Sequence, residues 1–385
     1  MNTQTAMSGP SRVDTSLFAR WWWSIDRTSL GLLITLVMIG VVLVMAAGPG
    51  AASRLSIENS FHFPLRQIFF LIPALFLMIA VSILTPLQAR RLAVCVFLLS
   101  VTLVFFALIF VPEINGSKRW FNFGGFGLQP SEFLKPGFVV VAAWMLAEGA
   151  RRPSFPGAKV AAAIYGFCVV SLVLQPDYGQ AALLTAVFGV MFFVAGASLL
   201  WVAGLAAVGV TTLVMGYNFS DHIARRIDGY LNPGSVDNYQ NDMAIQAIAE
   251  GGLVGRGSEG ANIKLSLPDA HSDYIFAVAG EEFGLFFCIL IIAIFAFFVL
   301  RLFLKAAQMK SIFTQVAVCG LGAMIGIQSF INIAVSLQVV PAKGMTLPFI
   351  SYGGSSLLAM GLTAGLILAF TRRQGPALRR RDIMP

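Results

Sequence analysis

Nearly all the side chains that could do chemistry lie in four short stretches. In NGSKRWFNFGGFGLQPSEFLKPGF (115–138), Lys118 and Arg119 stand beside Trp120, and two cations against an aromatic ring suit a phosphate at a membrane surface. Ser131 is placed to cap the helix that follows, and Glu132 and Lys135, three residues apart, share one helical face. Pro136 is expected to disturb that helix in its first turns. An interfacial ion pair plus a cap accounts for the same residues. In LQPDYGQ (174–180) Asp177 reads first as a turn or N-cap residue between two apolar runs. PDAHSDYIFAVAGEEFG (268–284) turns from a polar run into an apolar helix, where Ser272 or Asp273 would cap free backbone N–H groups. The helix dipole would keep an Asp273 carboxylate ionised there, as a general base requires, while lowering its basicity. Glu281 and Glu282 follow two turns later inside the apolar run, with no role legible from spacing. VVPAKGMTLPFISYGGSSLLAMG (339–361) sets Lys343 between Pro341 and Pro348 and opens the last apolar run with Gly353, Gly354, Ser355 and Ser356. Close helix packing and the lining of a cavity explain it equally well.

What must position these stretches is a bundle of membrane helices. The chain has 385 residues, 57% of them hydrophobic and only 11% charged, where a soluble domain carries roughly a quarter charged residues. Apolar runs fall at 29–48, 66–85, 92–111, 133–149, 158–174, 179–196, 199–217, 274–303, 312–337 and 346–371. These are ten candidate spans, each near the length that crosses about 30 Å of hydrocarbon. The expected class is therefore an all-α polytopic integral membrane protein, and the weak alternating segments of a transmembrane barrel are missing. The expected division is a tail over 1–28, a ten-helix domain over 29–371, and a basic tail over 372–385.

If the spans alternate, Arg12, Arg20, Arg27, Arg90, Arg91, Arg151, Arg152, Lys159, Arg301, Lys305, Lys310 and the arginines of 372–381 all fall on one face. That makes both termini cytoplasmic. The net charge of +8 thus reflects membrane topology and calls for no nucleic acid. Residues 1–28 lack the apolar core of a cleavable signal, so the tail is expected to be retained, with Trp21, Trp22 and Trp23 as an interfacial anchor. The large loop 218–273 lies on the other face and contains one short amphipathic helix near 239–250. Cys95, Cys168, Cys288 and Cys319 sit far apart in apolar runs and read as buried hydrophobes; with His62, His222 and His271 scattered, no metal cluster is visible.

In that order among ten spans, the four stretches resemble the SEDS family (shape, elongation, division and sporulation) over nearly the whole chain apart from the tails. KGMTLPFISYGGSS looks like the division-type members, with the elongation type as second choice. The resemblance implies a peptidoglycan glycosyltransferase of the bacterial cytoplasmic (inner) membrane, with its site on the periplasmic side and its setting the division septum. The substrate implied is lipid II, whose tail stays in the membrane lipid. The position matching the family's catalytic aspartate is Asp273, with His271 and Ser272 beside it as candidate substrate contacts.

Lipid II carries its sugar on an α-linked diphosphate and the product is β-1,4-linked, so one inverting displacement suffices, with Asp273 as general base. Lys118, Arg119, Lys135 and Lys343 are then candidates for charge on the leaving diphosphate, and Glu132 for orienting Lys135. A divalent cation (Mg or Mn) on the diphosphate is compatible with this chemistry, although no residue cluster announces one. The partner implied is a class B penicillin-binding protein, an FtsI-like transpeptidase, among other divisome membrane proteins. Two other readings use the same residues. A lipid II flippase would employ Glu132, Lys135, Asp177, Glu281 and Glu282 as a relay, and a non-catalytic scaffold would only recruit the transpeptidase.

Overall fold

The computed structural model describes residues 16–113, 117–124, 126–197, 239–341 and 344–372, with scattered positions between 203 and 228. In chain order the elements are α1 (Leu17–Ser24), α2 (Arg27–Arg54), α3 (His62–Ile83), α4 (Pro86–Phe110), β1 (Phe121–Phe123), β2 (Phe126–Leu128), α5 (Pro130–Arg151), α6 (Gly157–Leu174) and α7 (Tyr178–Val194). After the interval noted, α8 (Tyr239–Gly251), α9 (Gly257–Gly260), α10 (Ile263–Ser266), α11 (Ile275–Ala307), α12 (Ile312–Ser336) and α13 (Gly354–Thr371) complete the chain. Among the described residues, α2–α6 and α11–α13 are long and apolar enough to cross a membrane, and α7 is a shorter apolar helix. Nine of the ten apolar runs are thus helices; the run at 199–217, like most of the loop at 218–238, lies largely outside the described residues. The amphipathic helix expected near 239–250 is α8.

The bundle has an inside and a lipid-facing outside. In the most apolar stretch of α12, 78% of residues are buried, and of α13, 83%, against 28% for α4 and 33% for α3 and α6. The first two are therefore central posts and the last three form the rim. Without a hydrophobic force between helices in lipid, close approach depends on small side chains. A Cβ added at Gly361 of α13 would meet the Ala74 carbonyl of α3 at 2.4 Å. Three cysteines are buried as expected, but Cys95 faces outward from α4, a rim helix.

Several local expectations give way to backbone geometry. Pro136 is accommodated within a continuous α5, and the cap position of that helix is Gln129, not Ser131. The cap position of α11 is Tyr274, whose side chain makes no capping bond, so neither Ser272 nor Asp273 holds that place. The last span begins at Gly354; residues 346–353, although apolar, form a non-helical loop with Phe349 at φ +65°. The tryptophan cluster is a separate helix, α1, in which Trp21 is buried and its indole N–H donates to Ser82 Oγ at 2.8 Å.

The largest departure is in α11, which is interrupted at Gly284 (φ +80°, ψ −179°). In a straight helix Phe276 and Cys288 would stand about 18 Å apart, yet Cys288 Sγ lies 4.0 Å from the Phe276 carbonyl. The chain therefore doubles back at Gly284, and the segment 275–283 belongs to the cap that carries α8–α10. The restarted helix finds its N-terminal partners in that cap: Leu285 N–H donates to Gly252 O at 2.9 Å and Phe286 N–H to Leu253 O at 3.2 Å. Glu281 and Glu282 fasten the same cap. The Glu281 carboxylate accepts the N–H groups of Ile263 and Lys264, both at 2.7 Å, and Glu282 pairs with Lys264 Nζ at 2.7 Å.

Candidate active site

Asp273 sits in a tight turn in which the Asp269 carbonyl accepts the N–H groups of Ser272, Asp273 and Tyr274 at 3.0, 3.0 and 3.2 Å. This turn is stitched to the loop before α13. Tyr352 N–H donates to His271 O at 2.9 Å, while Ser351 Oγ donates to Ser272 O and accepts from Leu347 N–H at 2.8 Å. Two of the four stretches thus form one wall. The half-buried Asp273 carboxylate lies against Gly344, since a Cβ there would stand 3.2 Å from Asp273 Oδ2. Lys343 lies outside the described residues.

The other two stretches meet in a buried polar chain. Lys135 Nζ donates to Glu132 Oε2 at 2.9 Å and to Gln328 Oε1 at 3.2 Å, and Gln180 Nε2 donates to Glu132 Oε1 at 2.8 Å. The Lys135 side chain is 0% exposed, so its charge is committed to Glu132 and Gln328. Arg119 Nη1 pairs with Asp177 Oδ1 at 3.2 Å, and Gln129 Nε2 donates to Asp177 Oδ2 at 3.3 Å. Asp177 does stand at the cap position of α7, but its carboxylate makes no capping bond and serves this ion pair instead. The Lys118 backbone is held through its carbonyl by Gln175 Nε2 at 3.1 Å.

Two amides on α12 join the halves. Gln328 Nε2 donates to Thr346 O at 3.0 Å. One turn later, Asn332 Nδ2 donates to Met345 O at 2.7 Å and to Asp273 O at 2.8 Å. The Lys135 network and the Asp273 turn are therefore anchored on adjacent residues of one loop. Gln328 and Asn332 escape a reading by motif, although two amides four apart in an apolar span are themselves a signal. Among the described residues, the buried side-chain atoms without a partner are Gln67 Oε1, Arg119 Nε, Ser131 Oγ, Gln180 Oε1, His271 Nδ1 and Asn332 Oδ1. They occur in both halves of this region, and each is a polar atom left for a partner from outside the protein.

Comparison with known proteins shows the family. The family model described as "Cell cycle protein", for FtsW, RodA and SpoVE, matches residues 27–375. A protein of Caulobacter vibrioides described as "Probable peptidoglycan glycosyltransferase FtsW" is 44% identical, over 94% of this chain and 93% of that one. A protein of Saccharophagus degradans with the same description is 33% identical over 94% and 92%. Among solved structures, one described as "Structural coordination of polymerization and crosslinking by a peptidoglycan synthase complex" superposes with a TM-score of 0.74 at 26% identity, covering 91% of this chain and 98% of its own. A Thermus thermophilus rod shape determining protein RodA shares the fold with a TM-score of 0.71, covering 92% of this chain and 100% of its own. The chain belongs to the FtsW, RodA and SpoVE family of multi-pass membrane proteins and stands with its FtsW-type members.

Proposed function

We propose that this chain polymerises lipid II by a single inverting displacement in which Asp273 is the general base. The chain is a peptidoglycan glycosyltransferase of FtsW type. The observation that carries the site assignment is the meeting of two anchored loops at Asp273: its backbone is held by Asn332 and its carboxylate stands against Gly344. In this reading the Asp273 carboxylate takes the proton of the acceptor 4-hydroxyl as that oxygen bonds to the donor C1. The C1–O bond to the diphosphate breaks with inversion, and the lipid diphosphate leaves with the electron pair. Arg119, partly exposed and with Nε unpartnered although Nη1 pairs with Asp177, is a candidate to meet that charge, with Lys118 beside it and Lys343 as a further candidate. The buried Lys135–Glu132 pair supports the site's geometry from behind.

Among the described residues no three His, Cys, Asp or Glu side chains gather to hold a metal. A divalent cation would therefore be carried mainly by the phosphate oxygens of the substrate, as Mg²⁺ often is. The similarity to a synthase complex that couples polymerisation to crosslinking supports a transpeptidase partner. We assign that role to a class B penicillin-binding protein of FtsI type, in the inner membrane at the septum, with both termini cytoplasmic. A flippase relay through Glu281 and Glu282 finds no support, because both carboxylates are spent on the cap.

The test is glycan polymerisation from lipid II by the purified complex, comparing wild type with Asp273→Asn. Asn keeps size and polarity, so an intact complex is expected with polymerisation reduced at least about a hundredfold, the usual contribution of a general base. Polymer at the wild-type rate would remove Asp273 from the chemistry.

A further inference from the structure

At the basic end of the bundle one cation is fixed in place and unspent. Arg27 opens α2 just after the short helix α1, and its guanidinium carbon lies 4.9 Å from the Trp22 ring centroid and 4.5 Å from that of Trp23. Its Nε donates to Trp22 O at 3.3 Å. Two rings and a backbone acceptor thus hold the fork in one orientation, so little side-chain freedom is left to lose when a ligand arrives. Among the described residues its Nη groups meet no acceptor. The adjacent carboxylate, Asp26, is occupied: it accepts from Arg301 and Lys305, both at 2.8 Å, and those two side chains are each 28% exposed. Three cations against one carboxylate leave the corner positive. Trp21 fixes its depth, because the indole bond to Ser82 sets α1 level with the last turn of α3, which ends at Ile83. Beneath Arg27, at steps of three and four residues, Gly31, Ile34 and Met38 share its face of α2, and all are exposed. A Cβ added at Gly31 would meet nothing within 4 Å, which leaves a notch under the guanidinium.

We propose that Arg27, clamped by Trp22 and Trp23, binds the phosphate of an anionic phospholipid in the leaflet at the basic end, the cytoplasmic leaflet when both termini are cytoplasmic. The guanidinium fork can meet two phosphate oxygens at once, which a lysine in the same place cannot do. The excess of cations favours a lipid of net negative charge over a zwitterionic one. Depth and surroundings favour a lipid over a soluble phosphate. Tryptophan rings belong at headgroup level, and Ile34 and Met38 give acyl chains a surface that runs from the phosphate into the bilayer. The site lies a whole span from Asp273, since Arg54, at the other end of α2, is the residue that bonds the cap. Its ligand is therefore independent of the glycosyltransferase reading.

The test is native mass spectrometry of the delipidated full-length protein, titrated separately with phosphatidylglycerol and phosphatidylcholine. The expected result for wild type is a tight phosphatidylglycerol event that phosphatidylcholine lacks. In Arg27→Gln that event should weaken roughly tenfold, through loss of charge-assisted hydrogen bonds. Arg27→Lys keeps the charge without the fork and is expected to fall between the two. Arg152→Gln removes the same charge from the same end of the bundle, where its own partner is Glu148, and is expected to leave the event unchanged. Glycerol 1-phosphate, a headgroup without chains, is expected not to displace the lipid. The proposal is overturned if wild type shows no such event, or if the event persists at full strength in Arg27→Gln. Equal weakening in Arg152→Gln would overturn it too, reducing the effect to the diffuse field of a basic face. Displacement by glycerol 1-phosphate would make the ligand a soluble phosphate and overturn the assignment to lipid. The comparison of the two lipids on wild type stands even if a variant misfolds.

Discussion

Asn332 spends one amide on two backbone carbonyls, those of Asp273 and Met345. Replacing it by Ala leaves both buried acceptors unpaired, a loss of about 2 kcal/mol in stability, and frees the turn that carries Asp273. Asn332→Ala is therefore expected to lower the polymerisation rate at least about tenfold while lipid II affinity changes little, because proximity terms are lost faster than binding. Asn332→Asp keeps size but removes the donors and should behave no better; wild-type kinetics in either variant would show that the turn holds itself. A neighbour gives a pH signature. Burial first, and then the charge of Arg54, pushes the His271 imidazole down to about 4. An unfolded chain binds that proton near pH 6.5. The contribution is thus complete above about pH 6.5 and is lost as pH falls toward about 4, since the unfolded state then binds more protons. Thermal melts of wild type and His271→Phe should diverge in that window and run parallel above pH 7. The charged residues that the structure gathers, Glu132 with Lys135 and Arg119 with Asp177, stood out in the sequence because charges near lipid are conspicuous. The amides that tie them together could not, since an Asn in QSFIN reads as tolerated polarity until its partners are known.

The element that most changes the picture is α11. GEEFGLFF gives no sign of a break, because Gly costs a helix only about 1 kcal/mol and is common in membrane spans. Only tertiary contact shows why the helix stops: Gly284 meets the backbone of Val254 and Gly255 so closely that an added Cβ would lie 2.3 Å from Gly255 N. Gly284→Ala combines that clash with φ +80°, and should cost several kcal/mol. The same change at Gly124, φ +52° with open space around it, should cost about 1 kcal/mol. Limited proteolysis between 239 and 267, run beside thermal melts, checks the prediction; equal behaviour of the two variants would mean that the doubling back is not enforced there. Where apolar runs are simple the sequence predicts the helix closely, as at 158–174, which is α6 over Gly157–Leu174. It fails at 346–353, which is apolar enough for a span yet carries Pro348 and Phe349 at φ +65° and serves as the site's wall. Capping logic fails at Ser131 and Asp273 for a related reason: tertiary packing starts each helix elsewhere.

At the scale of the molecule, the bundle is fastened at both ends and the fastenings differ in kind. At the basic end Asp26 accepts from Arg301 at 2.8 Å and from Lys305 at 2.8 Å, joining the start of α2 to the end of α11. Arg372 ties the end of α13 to Ser24 and to the carbonyls of Ser82 and Ile83. At the site end Glu281 and Glu282 hold the cap to the folded-back segment of α11. Because that helix is interrupted at Gly284, a disturbance at Arg301 has no rigid rod through which to reach Asp273, whereas one at Glu281 acts only eight residues from it. Asp26→Asn is therefore expected to cost about 2 kcal/mol, less than a fully buried pair because Arg301 and Lys305 are each 28% exposed. The polymerisation rate of the folded fraction should stay close to wild type. Glu281→Gln leaves one of two backbone N–H groups unpaired, and should cost a similar amount of stability and most of the rate. Both are read from thermal melts and from polymerisation at a temperature where each variant remains folded. If Asp26→Asn silences the enzyme there, the ends are coupled through α11 after all, and the break at Gly284 is a bend that transmits force rather than a joint that isolates the site.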